Sequence, residues 1–197
     1  MNIERDQISE DILKSIVFGL TGKNASGKGT VAEILKKKNF TYHSLSDSLR
    51  DELKSLKKEE TRENLIDIGN ELREKGGPGV LADKLMPKLN SENNHIVDSI
   101  RNPLEVISLR ETLLRRFFLI SVDANSRLRY DRLCSRGRIG DTDSWEKFVE
   151  QEEKEENNDD PNKQQLSRTM EMADYSIDNS GTLEELEAQV NRIISSL

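Results

Sequence analysis

A glycine-rich segment at residues 22–30, Gly-Lys-Asn-Ala-Ser-Gly-Lys-Gly-Thr, has the spacing of a phosphate-binding loop. Glycines let successive backbone N–H groups curl around a phosphate, and a helix that begins near Lys28 points its own N–H groups at the same anion. The Lys28 ammonium can then reach the β- and γ-phosphates, and the Thr30 hydroxyl can ligate Mg²⁺. The segment predicts that ATP and Mg²⁺ are bound by Gly22, Asn24, Ala25, Ser26, Gly27, Lys28, Gly29 and Thr30.

A second set of polar residues follows the apolar segment His95–Asp98. P-loop proteins hold or orient Mg²⁺ with an acid at the end of a core strand, and Asp98 occupies that position. Arg101 would lie at the carboxyl edge of the sheet, where open α/β folds bind their ligands. We therefore expect Asp98 to serve the metal, and Arg101 to serve catalysis and acceptor binding. A turn-capping aspartate and a surface ion-pair arginine are the alternatives.

A third set lies in the run Ser44–Arg50, after the second apolar segment. Asp47 and Arg50 are about one helical turn apart and therefore share a helix face. We expect Arg50 to hold a phosphate of the acceptor and Asp47, as a catalytic residue, to orient the attacking group. Arg73 is a further candidate anchor for the acceptor. An aspartate that only caps the helix is the alternative.

Arg132 and Arg136 also share one helix face, because they are four residues apart. Arg138 follows, and Gly137 and Gly140 would let the chain beyond the helix swing as a lid. Guanidinium groups beside a phosphate-binding loop can neutralise the phosphoryl group during transfer, and closure excludes water. We expect Arg136, as a catalytic residue, and Arg138 to close over the transferred group. A solvated helix face is the alternative.

Short apolar segments alternate with segments of helical period along the chain. Strands are predicted at residues 15–20, 40–45, 95–98, 117–123 and 175–178. Helices are predicted at residues 29–38, 48–57, 61–75, 80–89, 103–114, 127–136 and 182–197. This alternation is typical of a parallel sheet with helices on both faces. We predict an α/β, three-layer P-loop fold with a five-stranded parallel sheet.

The chain is predicted to be one P-loop domain, residues 1–197, with two excursions from the sheet. Helices at about 47–90 form a helical acceptor-site insertion, and residues at about 137–165 form a small lid. The stretch 137–160 is polar and is predicted to be a mobile excursion. Its apolar residues on one possible helical face are Trp145, Phe148 and Val149.

Composition narrows the classes of partner. The 197 residues carry a net charge of −7, which is unfavourable for binding a nucleic acid polymer. No segment approaches the roughly 18–20 apolar residues of a membrane span. The single cysteine, Cys134, excludes an intrachain disulfide, favours a cytoplasmic location and is predicted to be a buried, small apolar residue. His43 and His95 are predicted to be core or edge histidines rather than metal ligands.

Three parts of the chain resemble known kinases. Gly27–Thr30 resembles the loop of adenylate kinase and other nucleoside monophosphate kinases, Ser44–Arg50 resembles their acceptor motif, and Asp131–Arg136 is similar to the entry of their lid. The run Ala173–Leu186 resembles the last strand and turn of dephospho-CoA kinase. Residues 70–101 resemble dephospho-CoA-kinase-like P-loop proteins of archaea and bacteria, some of which are fused to deaminase-type domains.

These resemblances imply roles for further residues. In the acceptor motif, Ser46 brackets the substrate together with Asp47 and Arg50. In the lid motif, the first arginine, here Arg132, lies on the donor adenine, and the second lies on its phosphates. The backbone around Asn179 and Gly181 borders the same adenine.

We therefore expect an ATP-dependent phosphotransferase whose acceptor is a nucleotide-type small molecule, most simply a (deoxy)nucleoside monophosphate. An acceptor phosphate is already ionised at neutral pH and needs no general base, and arginines at the acceptor site favour it. A dephospho-CoA-type kinase that phosphorylates a ribose hydroxyl is the first alternative, with Asp47 as its base. A nucleotide-sensing module with little turnover is the second.

Overall fold

The computed structural model describes residues 15–137, 144–156 and 160–197. Its strands form one parallel sheet in the order β2-β3-β1-β4-β5. They are β1 (Val17–Thr21), β2 (Phe40–Ser44), β3 (Asn94–Asp98), β4 (Phe117–Asp123) and β5 (Tyr175–Asp178). All five residues of β1 are buried, as expected for the central strand of a sheet covered on both faces. The predicted five-stranded parallel sheet is confirmed.

Helices connect the strands. They are α1 (Lys28–Lys36), α2 (Leu45–Ser55), α3 (Arg62–Gly76), α4 (Val80–Leu85), α5 (Pro103–Leu113), α6 (Ser126–Arg136), α7 (Trp145–Glu156), α8 (Leu166–Glu171) and α9 (Leu183–Ser195), with 3₁₀ turns at Met86–Lys88 and Leu114–Arg116. The connection from β2 to β3 carries α2, α3 and α4, so the helical insertion predicted at about 47–90 is present in the chain as three packed helices.

Two apolar layers lie on opposite faces of the sheet. Side chains alternate along a strand, so Val17 packs with α2 to α5 on one face, while Phe18 packs with α1 and α9 on the other. The predicted three-layer architecture follows from this division. The carboxyl ends of the strands and the first residues of α1, α2 and α5 therefore meet at one edge.

Helix α2 begins earlier than its sequence pattern predicts. Ser44 is the N-cap, and its hydroxyl accepts a hydrogen bond from the Ser46 backbone N–H at 3.2 Å. Asp47 therefore lies in the first turn, and the alternative in which Asp47 caps the helix is wrong. A carboxylate in a first turn still interacts favourably with the helix dipole.

Residues 145–156 form a packed helix, where a mobile excursion was predicted. Phe148 is 1% exposed, and its ring lies 5.6 Å from Tyr130 and 5.4 Å from Trp145, centroid to centroid. Three aromatic rings therefore dock α7 on α6. Two aromatic residues on one helix face are enough to pack a helix against its neighbour. The otherwise polar sequence of this segment therefore did not indicate a packed helix.

Cys134 is exposed, so the prediction that it is buried is wrong. The inner face of α6 contains Arg129 and Leu133, which are four residues apart. Position 134 is turned away from that face. Because the buried position 129 carries an arginine rather than an apolar residue, the sequence pattern did not show which face of α6 points inward.

His43 and His95 form a pair of neutral rings. His95 is buried, and its Nε2 lies 3.0 Å from the Asn90 carbonyl oxygen, so this nitrogen carries the hydrogen. The other nitrogen, Nδ1, then accepts a hydrogen bond from His43 Nε2 at 3.0 Å. Burial lowers the pKa of both imidazoles below their ordinary value.

We expect the free energy of unfolding to fall as the pH drops below about 6.5. The unfolded chain takes up protons on these rings more readily than the folded chain, so the stabilisation is complete above that pH and is lost below it. Urea titrations at about pH 7.5 and 5.5 measure the effect, and His43→Gln should reduce it. An equal loss of stability in the His43→Gln and parent proteins would contradict the assignment to this pair.

Candidate active site

A cavity of about 1000 Å³ opens at the carboxyl edge of the sheet. Its wall joins the glycine-rich loop, α2, α3 and the end of α6. The structure brings together here most of the predicted site residues, namely Asn24, Ala25, Ser26, Gly27, Lys28, Gly29, Thr30, Ser46, Arg50, Arg73, Asp98, Arg101, Arg132 and Arg136. The remaining predicted residues lie around it or outside the described residues.

The loop at residues 22–27 is wedged between β4 and the turn after β5. Gly22 has φ 142°, and a Cβ there would collide with the Val122 carbonyl oxygen. Gly27, the N-cap of α1, has φ 101°, and a Cβ there would collide with the Asn179 amide. Both positions therefore need glycine, for the φ angle and for the close approach.

Lys28 folds back over this loop. Its ammonium donates hydrogen bonds to the carbonyl oxygens of Gly22 at 2.6 Å and Lys23 at 2.8 Å. These bonds hold the positive charge at the mouth of the loop. A phosphate that entered the loop would compete with two neutral carbonyls for an ammonium already in place.

Several buried polar atoms of the wall have no hydrogen-bond partner among the described residues. They are Asn24 Nδ2, Ser26 Oγ, Arg73 Nη1 and Arg132 Nη1. A buried donor without an acceptor is costly, and such atoms are rare in folded proteins. Phosphate, ribose and base oxygens are acceptors, so the wall fits a ligand of that chemistry. Two further atoms of this kind, on Asn70 and Gln151, lie outside the wall.

The charge of the wall is opposite to that of the protein. Its basic residues are Lys28, Arg50, Arg62, Arg73, Arg101, Arg132 and Arg136, and its acidic residues are Glu60 and Asp98. Seven positive charges against two negative ones give +5 for the wall, and the balance is +3 when Asp47 and Glu105, which pair with Arg50 and Arg73 from outside the wall, are included. The net charge of the whole chain is −7. Such a concentration favours a polyanionic ligand.

Asp98 ends β3 and is held by its neighbours. It is 8% exposed, its Oδ2 accepts a hydrogen bond from the Tyr42 hydroxyl at 2.8 Å, and its Oδ1 accepts one from the Ser99 backbone N–H at 2.6 Å. Burial and the charge of Asp98 raise the pKa of Tyr42. Sequence reasoning missed Tyr42, since nothing local marks a strand tyrosine as a partner of a residue 56 positions away.

Oxygen ligands of the kind that Mg²⁺ prefers are present in the wall. The Thr30 hydroxyl and the Asp98 carboxylate both line the cavity. This donor set fits the ion, and these two residues would hold it.

Arg50 lies between two carboxylates. Its guanidinium contacts Asp47 Oδ1 at 2.9 Å and Glu60 Oε1 at 2.8 Å. Asp47 is exposed and lies outside the cavity wall, so the structure places Arg50 and Ser46 in the wall without it. Glu60 was not predicted, because the loop that carries it has no periodic signal.

Arg73 forms a buried ion pair with Glu105. The two side chains are 3% and 0% exposed, and Arg73 Nη2 lies 2.8 Å from Glu105 Oε1. The other carboxylate oxygen accepts hydrogen bonds from the backbone N–H groups of Arg101 at 2.9 Å and Asn102 at 3.1 Å. Glu105 therefore connects α3 to the start of α5, and the sequence analysis did not identify it. The pattern Asn102-x-x-Glu105 marks a helix start, but not this pairing.

Arg101 and the start of α5 hold the chain that enters α8. Arg101 Nη1 lies 3.4 Å from Gln164 Oε1, and the Arg101 carbonyl oxygen accepts a hydrogen bond from the Gln165 backbone N–H at 3.0 Å. The Asn102 amide donates to the Pro161 carbonyl oxygen at 2.7 Å. The far end of the predicted lid is thereby attached to the side of the cavity that contains Arg101.

Two arginines of α6 contact the glycine-rich loop and the turn after β5. Arg132 donates to the Asn179 carbonyl oxygen at 2.9 Å, and the Asn179 amide donates to the Ser26 carbonyl oxygen at 2.8 Å. Arg136 donates to Asn24 Oδ1 at 3.0 Å. Asn179 therefore braces the loop from outside the wall.

The other predicted residues have separate places. Gly22 begins the loop behind the cavity, and Gly181 lines a different, open groove along α9. Arg138, predicted for the lid, lies outside the described residues.

Within the described part of the chain, every helix is too short or too polar to span a membrane.

Comparisons with known proteins agree with this architecture. A family model described as an AAA domain matches residues 19–157. The UPF0200 protein of Pyrococcus furiosus is 31% identical over 187 residues, which cover 92% of this chain and 97% of that protein. Two solved structures share the fold. TT1252 from Thermus thermophilus is 22% identical, with a TM-score of 0.58 and coverage of 93% and 98%. Shikimate kinase from Aquifex aeolicus is 13% identical, with a TM-score of 0.54 and coverage of 92% and 97%.

Proposed function

Since this chain belongs to the UPF0200 family and its residues 19–157 belong to the AAA domain family, we propose that it is an ATP-dependent phosphotransferase with a nucleotide-type acceptor, most simply a (deoxy)nucleoside monophosphate. The observation that carries this proposal is the cationic wall of the cavity, which continues from the glycine-rich loop to α2 and α3. A hydrolase needs to hold one phosphate chain. A wall with arginines on both sides suits two anionic ligands.

The donor occupies the loop side in this proposal. The backbone N–H groups of the loop and the Lys28 ammonium bind the β- and γ-phosphates, and Thr30 and Asp98 hold Mg²⁺. Held by Thr30 and Asp98, Mg²⁺ would offset part of the negative charge of the phosphates. Arg132 contributes its unpartnered Nη1 to the same ligand.

The acceptor occupies the side formed by α2 and α3. Leu49, Leu65, Ile66 and Leu81 line that part of the wall, and Arg50 lies among them. Apolar side chains fit the faces of a nucleotide base, and a guanidinium fits its phosphate. Arg50 would exchange one of its present carboxylate partners for that phosphate.

Transfer then depends on position and charge. An ionised oxygen of the acceptor phosphate forms a bond to the γ-phosphorus, while the bond from that phosphorus to the β–γ bridging oxygen breaks and ADP leaves. Lys28, Arg101 and Arg136 donate hydrogen bonds to the oxygens on which charge develops. A monophosphate acceptor loses no proton in this step, which agrees with the position of Asp47 outside the cavity wall.

Arg50→Lys is expected to raise the KM for the acceptor at least tenfold and to leave the KM for ATP nearly unchanged, because lysine keeps the charge but loses the bidentate geometry. Asp47→Asn is expected to lower kcat only modestly, through weaker orientation of Arg50. Steady-state kinetics on both variants test this, with the exposed Arg115→Lys as the matched control. With a hydroxyl acceptor, Asp47→Asn would instead lower kcat about 10²–10⁴-fold. That loss, together with an unaffected Arg50→Lys variant, would favour the dephospho-CoA-type kinase.

A further inference from the structure

Arg129 of α6 is a buried arginine that the proposed chemistry does not use. It is 1% exposed. Its Nε donates to the Ala124 carbonyl oxygen at 2.9 Å, and its Nη2 donates to Ser126 Oγ at 3.0 Å. Asp123, at the end of β4, lies 3.3 Å from the same Nε. The guanidinium is therefore fixed at the point where β4 passes into α6.

Glu152 of α7 pairs with this guanidinium in a fork-to-fork arrangement. Arg129 Nη2 lies 2.8 Å from Glu152 Oε2, and Arg129 Nη1 contacts Glu152 Oε1. The ring of Phe148, on the same helix, lies beneath the guanidinium carbon at 5.5 Å. A bidentate pair has a defined geometry, so it sets the position of α7 on α6.

The same guanidinium reaches the glycine-rich loop. Arg129 Nη1 lies 3.4 Å from the Asn24 carbonyl oxygen, a long hydrogen bond. In a trans peptide the carbonyl and the following N–H point in opposite directions, so the Ala25 N–H points away from Arg129. Ala25 has φ 57° and lines the cavity. The left-handed φ of an alanine needs support from its surroundings. The turn hydrogen bond from the Ser26 N–H to the Lys23 carbonyl oxygen and this contact from Arg129 both contribute to it.

We propose that Arg129 is a positioning residue that directs the Ala25 N–H towards the bound phosphates and, through Glu152, links the loop to α7. This inference rests on the proposed binding of ATP. A phosphate that accepts a hydrogen bond from the Ala25 N–H also shifts the Asn24–Ala25 peptide, whose carbonyl oxygen accepts a hydrogen bond from Arg129. This shift is transmitted to α7 through the Arg129–Glu152 ion pair. Nucleotide binding at the loop therefore moves α7, the helix of the predicted lid.

The single tryptophan of the chain reports on this movement. Trp145 begins α7, and its ring lies 5.3 Å from that of Tyr130 on α6. ATP is expected to change the fluorescence of Trp145 in the parent protein, although Trp145 is absent from the cavity wall. Calorimetry with ATP and Mg²⁺ gives the dissociation constant independently of catalysis.

The decisive variant is Arg129→Met with Glu152→Met. Removal of both charges leaves no unpaired ion from this pair, and such apolar replacements often preserve stability. We expect stability close to that of the parent, a Kd for ATP about tenfold higher, and loss of the Trp145 response even at saturating ATP. The control, Lys147→Gln with Glu153→Gln, removes one charge of each sign from exposed positions of α7 and should behave like the parent.

A double variant that binds ATP and changes its fluorescence like the parent would overturn the inference and leave the proposed function intact. A parent protein that does not bind ATP would overturn both. If the methionine double variant does not fold, Arg129→Lys replaces it. Lysine keeps the charge but cannot donate hydrogen bonds to the Asn24 carbonyl oxygen and to both Glu152 carboxylate oxygens at the same time. A parent-like Kd and fluorescence response in Arg129→Lys would also overturn the inference.

Discussion

Lys28→Ala is expected to lower the rate of phosphoryl transfer about 10²–10³-fold or more, while the protein stays folded. The ammonium lies at the mouth of the loop, where its bonds to the Gly22 and Lys23 carbonyl oxygens hold it ready for a phosphate. Charge grows on the bridging oxygen during transfer, so removal of the Lys28 ammonium is expected to raise the activation barrier of the transfer step. Initial rates with saturating ATP and acceptor measure the loss.

The matched control for this variant is Lys23→Ala. Lys23 belongs to the same loop but lies outside the cavity wall, so its removal should alter the rate far less. Circular dichroism and thermal unfolding of both variants establish that they are folded. A folded Lys28→Ala protein with near-parent turnover would contradict the assignment of the loop to the γ-phosphate.

Glu105→Gln is expected to lower the free energy of unfolding by about 3–5 kcal/mol, the range for breaking a buried ion pair. In the described part of the chain, the hydrogen-bond partners of the Glu105 carboxylate are all donors, namely Arg73 Nε and Nη2 and the backbone N–H groups of Arg101 and Asn102. The amide of glutamine would point its own N–H₂ at one of these donors. Arg73 would also lose its counter-charge in the interior.

Urea unfolding measures this loss, and Glu111→Gln on the exposed face of the same helix is the control. Both variants remove one negative charge from α5, so a difference between them belongs to the buried pair. Equal stability of the two variants would contradict the structural role of Glu105. Any loss of acceptor affinity in a folded Glu105→Gln protein would follow from displacement of Arg73 and Arg101.

The sheet and the loop were predictable because their signals are local. The apolar strands are short and continuous, and the helices between them have a clear period. The glycines and the lysine of residues 22–30 have the spacing that is typical of a phosphate-binding loop. Together they predicted the parallel sheet and the edge at which Asp98 and Arg101 meet the loop.

The partners of the charged side chains could not be predicted in the same way. Arg73 was proposed only as an anion ligand, whereas the structure pairs it with Glu105, 32 residues away. Arg129 and Glu152 are separated by 23 residues, and each lies in a polar stretch that suggests a solvated surface. Such pairs are set by how helices pack on the sheet, and one sequence does not contain that information in a local pattern.

Transfer of labelled γ-phosphate to a panel of acceptors tests the central proposal most directly. The panel contains each nucleoside and deoxynucleoside monophosphate and dephospho-CoA, with ATP and Mg²⁺ present throughout. The proposal predicts that label appears on at least one monophosphate and that ATP consumption depends on its concentration. Release of label only as inorganic phosphate, at a slow rate that no acceptor changes, would contradict phosphotransfer and favour a nucleotide-sensing module.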